Sequence, residues 1–195
     1  MKGEPIESVK VGLQTMVSSL RQDPFALESV YLSLITFDRD AQLLVPLTGI
    51  EEFRIPDVVT PDSGPTLLGK CLELLCKRVD SEVLRGNDQV KGDWRPLLFI
   101  MTDGCPSDIL LYKQMIPEIK KRKFAKVVAC AAGDKAKHDV LMELADEVVS
   151  LDTTDSASFM QFFKWVSASV SSGNLSMGAS SLHLPAPPSE VHVVI

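Results

Sequence analysis

The apolar run "LLFIM", Leu97 to Met101, follows "WRP" and closes on "TDG". A short stretch with no polar residue at either alternate position reads as a strand buried on both faces, the pattern of a parallel sheet covered by helices. Neighbouring segments extend the pattern. Lys126 to Ala131 and Val148 to Leu151 read as further strands. Helical stretches separate them: Ile109 to Lys121, where Pro117 should kink or split the helix, and Lys135 to Ala145.

Upstream, Ile6, Val9, Leu13, Val17 and Leu20 keep helical spacing behind Pro5, a residue suited to a helix start. Val30 to Phe37, rich in β-branched and aromatic residues, and Ala41 to Leu47 are strands. The link "DRD" is short enough to make them an antiparallel hairpin. Thr66 to Val83 returns to helical spacing. Ser156 to Val170 forms a last amphipathic helix that Asp155 or Ser156 can cap. Strands alternating with helices over short loops imply an α/β fold with a mostly parallel sheet.

A chain of 195 residues can bury a sizeable core in one domain. Its net charge of −6 leaves no surplus of cations for a general nucleic-acid binder. The patch Lys120-Lys121-Arg122-Lys123 reads as a solvated helix end. No secretory signal opens the sequence, and no apolar run approaches the ~20 residues that span a bilayer. The 4 cysteines form no C-x-x-C pair and read as free thiols of a reducing cytoplasm. Beyond Ser171 the composition turns to Ser, Gly and Pro, so 1–171 is expected to be the domain and 172–195 a tail. The tail ends in "EVHVVI", either a loose end or a strand added to a sheet edge.

In open parallel sheets functional groups gather at the carboxyl ends of strands. Three loops qualify: Asp38 and Asp40 after the first strand, "PDSGPT" leading to Thr66, and "MTDGCPSD" with Asp103 and Asp108. The second loop has two readings. From Gly64 to Lys70 it spells the G-x-x-x-x-G-K of a phosphate loop, with Cys71 in place of Ser or Thr. Cys71 is too soft for Mg²⁺, and Pro65 removes a backbone donor that phosphate would need. Alternatively, Thr66 offers a hydroxyl and Asp103 a carboxylate to a hard divalent ion. A helix cap for Thr66 and a turn for Asp103 are the plain structural readings. Asp38 and Asp40 fit a hairpin turn, and Cys105 is a lone loop cysteine. His138, His183 and His192 form no ligand or triad spacing, so no enzyme is expected.

Longer stretches, "LITFDRDAQLLVPLT", "PDSGPTLLGKCLELL", "KGDWRPLLFIMTDGCPSD" and "IPEIKKRKFAKVVACAAG", resemble the von Willebrand factor type A (vWA) family, most closely its TerY-like branch associated with tellurium resistance. The resemblance runs from about Lys2 to Val170. It implies a Rossmann-like vWA fold, with helices on both faces of the sheet and one antiparallel edge strand. It also implies a metal-ion-dependent adhesion site holding Mg²⁺, or Mn²⁺ or Ca²⁺, to which Thr66 and Asp103 correspond. A protein partner would complete the ion's shell with an acidic side chain. The implied role is non-enzymatic partner binding in a cytoplasmic tellurium-resistance or stress-response system, with neither nucleic acid nor membrane as partner. A metal-independent scaffold and a nucleotide binder using Gly64 to Lys70 are the alternatives.

One family element is missing. The first ligand loop, D-x-S-x-S, follows a central strand ahead of the first helix, whereas this sequence starts "MKGEPIES". The resemblance thus makes Met1 an internal methionine of a longer protein. It leaves the ion site weak or absent in this chain. The strands at Val30–Phe37 and Leu97–Met101, flanking the missing one, should pair directly, borrow a strand, or expose edges prone to self-association.

Overall fold

The structure, a computed structural model, describes residues 3–60, 64–87, 89–133, 136–151, 156–175, 184–189 and 191–194. Asp155 and the first residue of the Lys135–Ala145 helix lie outside the described residues. The elements run α1 (Glu4–Gln22), α2 (Pro24–Ser29), β1 (Tyr31–Phe37), β2 (Ala41–Gly49), α3 (Leu68–Glu82), β3 (Leu97–Thr102), α4 (Ile109–Lys121), β4 (Lys126–Ala132), α5 (His138–Met142), β5 (Glu147–Leu151), α6 (Ser156–Leu175) and β6 (Val191–Val194).

The strands make two sheets. β1 and β2 form an antiparallel hairpin, and β3-β4-β5-β6 form a sheet of 4 strands. β3, β4 and β5 are parallel, and β6 runs antiparallel to β5, with Val148 opposite Val194 and Leu151 opposite Val191. The strand-prone end of the tail is therefore an edge strand, and α6 carries the helix past Ser171 to Leu175.

Period-two alternation sorts the strand side chains into two cores. Val128, Cys130 and Ala132 of β4 join α1 and α6 on one face. Val127, Ala129 and Ala131 join α3, α4 and α5 on the other. The hairpin obeys the same division: Leu32 and Leu34 pack into the first core, Ile35 and Phe37 into the second. β1 thus lies in the layer of the larger sheet, although the two share no ladder.

Three expectations are corrected. β3 is not buried on both faces: of its residues only Ile100 and Thr102 are fully buried, whereas β4 is buried from Val127 to Ala132. The difference follows from pairing, because among the described residues β4 has a strand on each side and β3 has one. Pro117 does not split α4, which is continuous from Ile109 to Lys121. Pro117 and Lys113 are both exposed, so water can satisfy the carbonyl that proline leaves unpaired. The helix placed at Lys135–Ala145 is short, running only from His138 to Met142.

The helices of the first core touch closely. A Cβ built on Gly12 of α1 would fall 2.2 Å from the Phe163 ring of α6. Gly12→Ala should therefore force the ring aside and destabilise the fold by about 1–3 kcal/mol, read as a lower urea midpoint with an unchanged slope. An unchanged midpoint would mean that α1 and α6 do not meet at this position.

Candidate functional site

The chain ends of β1 and β3 and the start of α3 converge, and backbone bonds tie them together. Leu67 donates its N–H to the Asp38 carbonyl at 2.9 Å. Thr66 and Ser107 bond twice: Ser107 N–H to the Thr66 carbonyl at 2.8 Å, and Thr66 N–H to Ser107 Oγ at 3.0 Å. Since Asp38 ends β1 and Ser107 follows β3, both strands finish at the same loop cluster and run in the same direction.

Asp108 fastens the cluster. It occupies the N-cap position of α4 but makes no side-chain cap there. Its carboxylate instead accepts from α3, with Gly69 N–H on Oδ1 at 3.0 Å and Lys70 N–H on Oδ2 at 2.9 Å. Two of the orphan donors at the α3 start are satisfied across the loops by an acid, which also suits the positive end of the helix dipole. This contradicts the phosphate-loop reading of Gly64 to Lys70. The N–H groups that would cradle a phosphate already hold a carboxylate, Lys70 Nζ pairs with Asp40 at 3.4 Å, and among the described residues no strand leads into the segment.

Thr66 neither opens nor caps α3. The helix starts at Leu68, with Leu67 at the cap position and no side-chain cap bond. The Thr66 hydroxyl turns toward the residue after Asp103: a Cβ on Gly104 would sit 3.0 Å from Thr66 Oγ1. Gly104 permits this approach, and its N–H and carbonyl are bridged by Thr102 Oγ1. Asp38, Thr66 and Asp103 all line one end of a single cleft. Asp38 and Asp40 form the hairpin turn: Asp40 N–H donates to Asp38 Oδ1, and Asp38 N–H to the Asp40 carbonyl. The Ala41 N–H, and then Lys70, hold the Asp40 carboxyl below its ordinary range.

Thr66 and Asp103 line the same cleft, with Thr66 against Gly104, and they supply one hydroxyl and one carboxylate. A hard divalent ion takes about six oxygens, and among the described residues no group of three or more His, Cys, Asp or Glu could hold one. These two residues do not fit a self-sufficient ion cage. Sequence reasoning missed the tie made by Ser107 and Asp108, because "PSD" before a helix looks like a cap for that same helix.

The thiols divide sharply. Burial, and then the nearby Asp108 carboxylate, pushes Cys71 up to about 12. Burial also raises Cys76 and Cys130, whereas Cys105 is half-buried in the loop. Two of the four cations of the basic patch are paired, Arg122 with Asp80 and Glu118, and Lys121 with Glu118.

No family model matches the chain, and no curated protein matches it. Two solved structures of proximal thread matrix protein 1 from the mussel byssus are similar in fold, with TM-scores of 0.64 and 0.62. Each is 17% identical, and the match covers 85% of this chain and 42% of that one. That protein has a vWA-like fold, and the likeness places this chain's mixed α/β architecture in the same fold class. The match therefore spans less than half the length of that protein.

Two outcomes check the site. Asp108→Ala should cost about 2 kcal/mol, because it removes the acceptor of two helix-start donors, and Asp108→Asn should recover part of the loss. Equal stability of all three forms in urea would refute the tie. In the native protein at pH 8, Cys105 should react with a thiol reagent well before Cys71, Cys76 and Cys130. All four should react once the chain is unfolded.

Proposed function

We propose that the chain is a vWA-type protein-interaction domain, without catalytic activity, whose loop face around Asp38, Thr66 and Asp103 contacts a partner. The observation that carries this reading is the cross-loop tie: Asp108 on α3 and the Thr66–Ser107 pair hold the face before any partner arrives. A preformed face loses less conformational freedom on binding. The raised Cys71 and Cys130 thiols are poor nucleophiles near neutral pH, in keeping with a non-catalytic reading.

The TerY-like resemblance suggests a tellurium-resistance or stress-response setting in the cytoplasm. It also suggests ion dependence. Since Thr66 and Asp103 cannot cage an ion by themselves, most oxygens around Mg²⁺, Mn²⁺ or Ca²⁺ would come from water and the partner's acidic side chain. Metal-independent binding is the second reading, favoured by the thin donor set.

The test is affinity purification from the native source with wild type, Thr66→Ala and Asp103→Ala, each with and without EDTA, after matching their thermal stability. A partner kept by wild type and lost by both variants supports the loop face. Loss in EDTA with recovery in Mg²⁺ supports ion dependence, whereas retention in EDTA supports the metal-independent reading. Partner retention by both variants would sink the loop-face proposal altogether. ATP at millimolar concentration should not bind any of them.

A further inference from the structure

The outward face of α4 joins an apolar head to a row of cations. Leu110, Lys113, Gln114, Pro117, Lys120 and Lys121 are all exposed, and helical spacing brings them to one side of the helix. Tyr112, Met115, Ile116 and Ile119 occupy the buried side. The stripe is about 16 Å long, at 1.5 Å per residue. At its head Leu110 is 82% exposed, and Ile109 beside it 40%. One exposed apolar side chain is ordinary on a protein surface. Here two stand together at the end of a row of lysines.

Those cations are in surplus. From Ile109 to Lys123 the chain carries Lys113, Lys120, Lys121, Arg122 and Lys123 against one acid, Glu118, within a protein of net charge −6. Asp80 and Glu118 pair with Arg122, and Glu118 also with Lys121. Among the described residues Lys113, Lys120 and Lys123 have no ion pair. Acids nevertheless stand nearby: Glu118 on α4 itself, Asp80 on α3, and Glu143 at the end of α5, close enough to Tyr112 to add to the rise that burial causes in its hydroxyl pKa. A broad anionic surface, such as a membrane or a nucleic acid, would meet those acids and the chain's net negative charge together with the lysines. A single acidic segment laid on the stripe meets the lysines alone.

We propose that the exposed face of α4 docks an acidic segment of a partner protein: an extended stretch of about five Asp and Glu residues, long enough for the 16 Å stripe, with an apolar pair at one end. The apolar pair covers Ile109 and Leu110 and fixes the register, and the carboxylates meet Lys113 and Lys120. The inference does not rest on the loop-face reading, since Asp38, Thr66 and Asp103 take no part in it.

The probes are two labelled peptides, Phe-Leu-Glu-Asp-Glu-Asp-Glu and its reverse, added to the full chain. Fluorescence polarisation at low salt should show saturable one-to-one binding of one of them, with a Kd on the order of 100 µM. Salt at about 0.5 M should weaken it at least about tenfold. Lys113→Glu, Lys120→Glu and Leu110→Ser should each weaken it about fivefold. Lys164→Glu makes the same charge change at an exposed site on α6, which packs on the opposite face of the sheet, and should bind as wild type. All four positions are exposed, so the urea midpoint should stay close to wild type. Amide chemical shifts should move along Ile109–Lys121 and not along α6.

No saturable binding of either peptide would overturn the proposal, as would full binding by Leu110→Ser or by both lysine variants. Equal weakening in Lys164→Glu would assign the effect to net charge and overturn it too. Capture by vesicles of phosphatidylserine and phosphatidylcholine, lost in the same variants while both peptides fail, would give the stripe to an anionic lipid surface instead.

Discussion

A β-strand has two edges, and the backbone groups on each need partners. This constraint organises the whole chain. β4 and β5 satisfy it on both sides, β4 between β3 and β5, and β5 between β4 and β6. β4, wholly inside the sheet, is the most completely buried strand. Among the described residues β1 and β3 satisfy it on one side, and most of their apolar side chains are only half-buried, Ile100 excepted, although helices cover both faces of the layer. The cleft between β1 and β3 and the uneven burial of the core follow from this one interruption.

The alternation of strand and helix was legible in the sequence because period-two and helical spacing are local properties. The Val30–Phe37 and Lys126–Ala131 segments lie in strands close to where their patterns place them. Burial of the Leu97–Met101 run was not legible, since it depends on a neighbour that residue type cannot report. The edge strand Val191–Val194 was also ambiguous, because a short strand-prone end forms a ladder only where an edge such as that of β5 accepts it. The helix at His138 is shorter than its spacing suggests, for helical pattern marks which face is apolar and not where the turns stop.

The site was half legible. Asp103 stands at the strand-to-helix junction after β3, where α/β folds gather functional groups, Thr66 lies beside Gly104 ahead of α3, and both line the same cleft. The tie between the loops was hidden because it links residues far apart in sequence: Asp108 serves α3, about forty positions upstream, and not the helix it precedes. That choice has a chemical consequence. A carboxylate bound to the first donors of α3 leaves no place there for a phosphate, so the G-x-x-x-x-G-K spacing is a coincidence of local sequence.

The same ties explain why the cleft does not close by collapse. For β1 to pair directly with β3, the hairpin would have to shift sideways by about one strand spacing, 4.8 Å. Leu67 holds Asp38, and Asp108 holds the start of α3 to the loop after β3, so that shift would break bonds at the loop end. It would also tear the hairpin from α3, whose Leu72 shares the second core with Ile35 and Phe37. α1 and α6 brace the other face, with Phe163 seated against Gly12. Each side chain pulled out of its core loses about 1.5–3 kcal/mol of burial. Two half-satisfied edges can therefore coexist with well-packed faces, because the faces are held by helices that neither edge controls.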